Sequence, residues 1–272
     1  MVWLSAFADE ISDDLNEQIA VLKENRVGFI ELRGVWGKNI MEFTSDQVRE
    51  ISRIARDNGI GFSSIGSPIG KFPLDGDFNL ELEKIKKALD FCEILGCRYI
   101  RIFSYYIPEG HTHEEHRAQV MDWLGRLIAE AEQTDVILCH ENERVIYGDL
   151  GKYCLDIHQT LRSPNFRGIF DFANYVHCGE DPRQIWPMLK PYIEYFHIKD
   201  SKRDTLEMVP AGQGDGQIEA ILTDAARSGF DNFLTLEPHL SVAEKSFGRT
   251  TPEQFKMAAA ALRTLMAAAG MA

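Results

Sequence analysis

Apolar residues recur along this chain in two alternating rhythms. Short runs rich in β-branched and aromatic residues give way to longer stretches whose apolar positions fall three or four residues apart. The first rhythm fits strands and the second fits helices buried on one face. The strand-like runs are Trp3–Ala8, Gly28–Val35, Gly61–Ile65, Tyr99–Phe103, Val136–Glu141, Gly168–Phe172, Ile193–Lys199 and Phe233–Glu237.

A helix is predicted after each run. Ser12 is the expected cap of the first, ahead of Asp13 and Asp14, with Leu15, Ile19 and Leu22 on one face. Thr44 and Gln47 form a capping box for the second, which stops at Asn58–Gly59. The third carries Leu82, Ile85, Leu89 and Cys92 and ends at Gly96; the fourth runs from Thr112 to Glu132 and the fifth covers Gly151–Leu161. Asp181–Pro182 opens the sixth in the order cap then first-turn proline. Ile218–Ser228 is the seventh, and the eighth begins at Thr251–Pro252, with Gln254 completing a capping box.

Eight strand–helix units in series imply parallel strands, right-handed crossovers and closure into a single (β/α)8 barrel spanning residues 1–272. A doubly wound open sheet fits less well, because "FADEIS" after the first strand is no glycine-rich turn. In such barrels the active site lies at the C-terminal ends of the strands.

Composition narrows the field. The chain has 272 residues, 44% of them hydrophobic, enough for a large core. A net charge of −13 argues against nucleic-acid backbones and anionic membrane surfaces as partners. No apolar run nears the roughly 18 residues of a membrane span. The five cysteines, without a CxxC pair, read as reduced thiols of a cytoplasmic protein. No signal peptide is discernible at the N-terminus.

The chemistry collects at four consecutive strand ends. "LCHENE", "IFDFAN", "YFHIKD" and "TLEPHL" place Glu141, Asp171, His197 and Glu237 at equivalent positions. Each shares its strand face with apolar or small neighbours, such as Cys139, Ile169, Tyr195 and Thr235. Three carboxylates and one imidazole suit one divalent ion: Mn²⁺ foremost, or Mg²⁺, Co²⁺ or Zn²⁺. Glu143 is the alternative to Glu141.

On these residues, "LCHENE", "IFDFAN", "FHIKDSKR" and "LEPHL", the chain resembles the sugar phosphate isomerase/epimerase group of xylose isomerase-like TIM barrels. The resemblance follows strand order over nearly the whole chain, and its specific motifs lie in residues 136–240. It implies that Glu141, Asp171, His197 and Glu237 bind one metal, and that Arg203, six residues past the histidine, contacts substrate oxygens. One departure stands out. The epimerases carry a substrate-binding histidine three residues after the aspartate, where this chain has Asn174. An amide can hydrogen-bond a hydroxyl but does not titrate near neutrality.

The expected activity is isomerisation or epimerisation of a sugar, sugar phosphate or keto-polyol by proton removal next to a carbonyl, through an enediolate. Glu141 and Glu237 are the expected acid/base pair. Glu31 and Arg33 at the end of the second strand, Lys199, and His239 are further substrate-side candidates. "GQGDGQ", Gly212–Gln217, is a weak phosphate-loop candidate, since it does not follow a strand directly. "HTHEEH" reads as a capped, solvated helix start rather than a metal motif, and His140 points to the helix layer. Glu194 falls, by alternation, on the helix face without an evident partner, while Ile193 falls on the pore face. Three rivals remain: a dehydratase on the same site, a non-catalytic sugar-binding barrel, and an apurinic-type endonuclease. The last needs more histidine ligands than the second and third strands offer. The sequence leaves room for a homo-oligomer.

Overall fold

The computed structural model describes residues 1–241 and 248–271. Its barrel strands are β1 (Trp3–Ala6), β2 (Phe29–Leu32), β3 (Gly61–Ile65), β4 (Tyr99–Ile102), β5 (Ile137–Glu141), β6 (Phe166–Asp171), β7 (Ile193–Ile198) and β8 (Phe233–Leu236). Each pairs in parallel with its neighbours, and β8 pairs β1 with Trp3 opposite Phe233, so the sheet closes into a barrel. The predicted (β/α)8 architecture is the one observed.

The helices are α1 (Leu15–Glu24), α2 (Ser45–Asp57), α3 (Phe78–Leu95), α4 (His113–Ala131), α5 (Gly151–Thr160), α6 (Phe172–His177), α7 (Pro182–Leu189), α8 (Ile218–Arg227) and α9 (Pro252–Ala269). The capping boxes Thr44/Gln47, Thr112/Glu115 and Thr251/Gln254 all form, and Asp181 caps α7 ahead of its proline. The first cap differs from expectation. Asp14, not Ser12, accepts the free backbone N–H groups of Asn16 and Glu17. A carboxylate is the better acceptor at the positive end of a helix, and the Ser12 hydroxyl instead accepts the Asp14 N–H.

Tyr99, Ile137, Cys139, Ile169 and Tyr195 form an inner core, with Phe233 packed against it. A larger apolar shell lies between strands and helices. The inner cluster fixes which face of each strand points inward. By alternation, Glu141, Asp171 and His197 point inward above it.

Two departures have local causes. In the β6–β7 pairing, Gly168 lies opposite Ile193 but Ile169 lies opposite Tyr195, so Glu194 is an inserted residue, a β-bulge. The bulge breaks the alternation. Ile193 packs in the outer shell, and Glu194 accepts from Tyr99 Oη at 2.8 Å, Arg167 Nε at 3.1 Å and Asn232 Nδ2 at 3.2 Å. The partner missing from the sequence reading is therefore a polar cluster at the barrel floor. The second departure is α6, which begins at Phe172 where a strand end was expected. Asp171 ends β6 and at the same time caps this helix.

Among the described residues no helix is long and apolar enough to cross a membrane. The five cysteines are all free.

Candidate metal centre

The four strand-end residues converge. Glu141, Asp171, His197 and Glu237 each offer one ligand atom, all within 4.8 Å of one another, and all four side chains are buried. His197 Nδ1 lies 3.0 Å from Glu141 Oε1 and 3.6 Å from Glu237 Oε2. Two buried atoms here, His197 Nδ1 and Asp171 Oδ2, have charged neighbours but no well-aligned hydrogen bond. Asp171 Oδ2 lies 2.9 Å from Lys199 Nζ, while Oδ1 accepts the Asn174 N–H at 2.8 Å.

Two arginines brace the glutamates. Arg101, within β4, donates to Glu141 Oε2 at 3.2 Å. Arg33 donates to Glu237 Oε1 at 2.9 Å and to Asp9 Oδ2 at 2.7 Å. Their guanidinium carbons stand 4.8 and 4.5 Å from the centroid of the buried Phe7 ring. Phe7 also meets the His197 imidazole edge-on at 5.0 Å. The π-electrons of the ring attract both cations.

The candidates on the rim fall out as follows. Lys199 bridges Asp171 and Glu237 and is itself buried. His239 Nε2 lies 3.2 Å from Glu10 Oε1 and 3.4 Å from Glu237 Oε1. Glu10 also accepts from the His239 backbone N–H and the Thr250 hydroxyl. The Asn174 amide donates to Asn142 O at 2.8 Å and faces Glu141 Oε1 at 3.4 Å. Glu143 does not join the cluster; it pairs with Lys71.

Glu31 does not face an open pocket. Its oxygens meet His197 Nε2 and Tyr195 Oη. Arg203 is likewise committed, donating to Gly179 O and Glu180 O. The glycine-rich loop is not an open anion site. The N–H groups of Gly212, Gly214 and Gly216 all donate to the Asp200 carboxylate, between 2.8 and 3.0 Å. As expected, His140 leaves the pore, and its Nε2 meets Ser104 Oγ at 2.9 Å.

Phe7, Glu10 and Arg101 were not singled out from sequence. Only Arg101 left a signal, a lone cation within the apolar run "YIRIF".

The electrostatics follow from burial and pairing. Burial pushes the Asp171 carboxyl up, to about 7, although Lys199 opposes it. Burial disfavours the charged His197 ring, but Glu141 and Glu31 reverse this and carry it to about 10. The Glu141 carboxyl resists its own burial and falls to about 2 under His197 and Arg101. Burial also opposes a charged His239, and Glu10 and Glu237 raise it to about 9.

Six carboxylates (Asp9, Glu10, Glu31, Glu141, Asp171 and Glu237) share this network with three permanent cations, Arg33, Arg101 and Lys199. With His197 and His239 both protonated, one negative charge remains in excess, and a divalent cation taking the place of the His197 proton would neutralise it. These poorly aligned ligand atoms and this excess both fit a divalent cation held by three carboxylates and an imidazole. The second acidic grouping, Glu10, Glu237 and His239, has Arg33 beside it and reads as an ion-pair network.

The fold coincides with what known proteins show. Residues 19–265 match the family model described as xylose isomerase-like TIM barrel, and the chain belongs to that family. The L-ribulose-5-phosphate 3-epimerase UlaE of Salmonella paratyphi A is 24% identical over 164 residues, 60% of this chain and 57% of that enzyme. The chain thus aligns with little more than half the length of the curated relatives it matches. Among solved structures, the "probable 3-DHS dehydratase AsbF" of Bacillus anthracis superposes with a TM-score of 0.77 at 18% identity, over 97% of this chain and 99% of that one. The IOLI protein, whose structure holds a zinc atom, gives 0.73 at 17% identity, over 98% and 96%. These structural likenesses speak to the fold.

Proposed function

We propose that this chain is a divalent-metal-dependent isomerase or epimerase of a small sugar or keto-polyol, working as one catalytic domain. The convergence of Glu141, Asp171, His197 and Glu237 at one end of the barrel carries the reading. The epimerase relative supports it. These four residues would hold the ion, which when bound would polarise the substrate carbonyl and a neighbouring hydroxyl.

The protein's own residues supply the rest. One of Glu141 and Glu237 takes the proton from the carbon beside the carbonyl, leaving an enediolate, and the other returns a proton to a carbon or oxygen of it. Their carboxylates come from opposing walls, β5 and the end of β8. Each is braced by an arginine, so its free oxygen is aimed rather than left to rotate. Lys199 holds Asp171 and Glu237 in register. Asn174 and His239 sit where substrate hydroxyls would approach Glu141 and Glu237.

The Gly212–Gln217 loop and Arg203 are committed to protein partners, so we assign neither to a substrate phosphate. An unphosphorylated substrate fits the described residues best. Five free thiols fit a cytoplasmic setting, and assembly into a homo-oligomer stays compatible with the fold.

A dehydratase reading has its own support. His239, held cationic beside Glu237, is placed to protonate a departing hydroxyl after the same enolisation. The test is metal analysis of the purified protein, followed by incubation with ketoses and keto-polyols in D₂O. Carbon-bound deuterium in recovered substrate or its epimer supports the isomerase reading. A conjugated, ultraviolet-absorbing product supports the dehydratase. Neither outcome, with any metal loading, overturns both.

A further inference from the structure

Glu31 is a fully buried carboxylate of the network, on β2. Its two oxygens have separate duties. Oε1 accepts from Tyr195 Oη at 3.0 Å, and Oε2 meets His197 Nε2 at 3.2 Å. The other ring nitrogen, Nδ1, lies 3.0 Å from Glu141 Oε1 and 3.6 Å from Glu237 Oε2.

Packing alone does not decide which nitrogen faces the carboxylates. Phe7 meets the imidazole edge-on at 5.0 Å and Tyr195 lies tilted at 5.6 Å. These contacts fix the plane of the ring, but a half-turn about its axis would satisfy them nearly as well. Glu31 breaks that tie. Both ring nitrogens lie beside carboxylates, Nε2 beside Glu31 and Nδ1 beside Glu141. A carboxylate is acceptor only, so a cation that takes the place of the Nδ1 hydrogen leaves the Nε2 hydrogen on Glu31.

The backbone is shaped for this. The β2–β3 register slips between Ile30 and Glu31, so Ile30 pairs with Phe62 but Glu31 with Ser64. A bulge of this kind re-aims a side chain. Ser64 Oγ lies 3.1 Å from Tyr195 Oη, which ties the slipped strand to the residue that holds Glu31.

We propose that Glu31 is a positioning residue that takes the Nε2 hydrogen of His197 and so presents Nδ1 to a divalent cation held with Glu141, Asp171 and Glu237. Outer-shell carboxylates on ligating histidines act in this way. The inference rests on the metal-site reading above.

The test measures Zn²⁺ and Co²⁺ affinity by competition with a chromophoric chelator, for the wild type, Glu31→Gln and Tyr195→Phe. A glutamine can offer either its oxygen or its NH₂ to Nε2, so it no longer dictates which nitrogen carries the hydrogen. Glu31→Gln should weaken binding by about 10- to 100-fold. Tyr195→Phe, which removes the partner of the other oxygen, should change it by about threefold or less on the same reasoning. Wild-type affinity retained in Glu31→Gln overturns the inference and leaves the metal reading intact. Absence of metal binding in the wild type overturns both.

A measurement without a variant decides the same point if Glu31→Gln does not fold. Nitrogen-15 spectra of the zinc-loaded wild type should show the His197 ring protonated at Nε2 and metal-bound at Nδ1. The reverse assignment overturns the inference.

Discussion

The Asp171 carboxylate accepts the Asn174 backbone N–H at 2.8 Å through Oδ1, and this bond fixes where Oδ2 points. One oxygen caps α6 while the other enters the cluster beside Lys199. The two duties separate by substitution. Asp171→Asn keeps an oxygen that can cap but removes the charge. It should lose metal affinity by about 100-fold or more at the level expected for a lost ligand, with an apoprotein melting temperature close to wild type. Asp171→Ala should lose the affinity and also about 1 kcal/mol of stability from the cap. Chelator competition and thermal melts of the metal-free proteins read the two effects apart.

Glu141→Gln and Glu237→Gln should each lower turnover by about 10²- to 10⁴-fold, the range for a general acid or base. The comparison is made at saturating metal, so that weakened ion binding does not masquerade as lost chemistry. If either variant keeps full turnover, the acid/base pairing is wrong.

Burial pushes the His158 imidazole well below its ordinary value of 6.5, where it stacks on Tyr192 at 5.2 Å. The folded protein then binds fewer protons here than the unfolded chain. Stability is therefore full above pH 6.5 and falls as the pH drops below it, by up to about 1.4 kcal/mol per unit for one such group. Burial lowers His140 to about 4, so the wild type keeps some slope from that ring. Denaturant unfolding at pH values from about 7.5 to about 5.5 should give a shallower decline for His158→Gln than for the wild type. Equal slopes would contradict a buried neutral ring.

Asp200 accepts three glycine N–H groups besides that of Ser201. Asp200→Ala strands those donors, at about 1–3 kcal/mol for each one that water does not reach. Lower denaturant midpoints and faster proteolytic cleavage between β7 and α8 are expected. Stability and cleavage equal to wild type would mean that the loop holds itself.

The barrel and its four strand ends were legible because both rest on strict periodicities. Cys139, Ile169 and Tyr195 alternate with outward residues, so Glu141, Asp171 and His197 inherit the inward direction. What stayed hidden breaks a period or spans the chain. The bulge at Glu194 adds one residue and reverses the alternation, and no local pattern marks it. Glu10 joins His239 and Thr250 from the opposite end of the sequence. Arg203 matched a family position, yet its guanidinium found two carbonyl oxygens after α6, a helix too short to show a period. "GQGDGQ" has the composition of an anion-binding loop and is one, but its anion is Asp200, twelve residues before the first glycine.

The floor cluster around Glu194 has a consequence for how the molecule can be altered. Between it and the candidate metal centre lies the layer of Ile137, Cys139, Ile169 and Tyr195. This layer is an insulating septum with charge on both sides. It separates the floor from the end of the barrel that holds the candidate metal centre. Substitutions at the floor, for thermal endurance or attachment to a support, should therefore leave metal affinity unchanged.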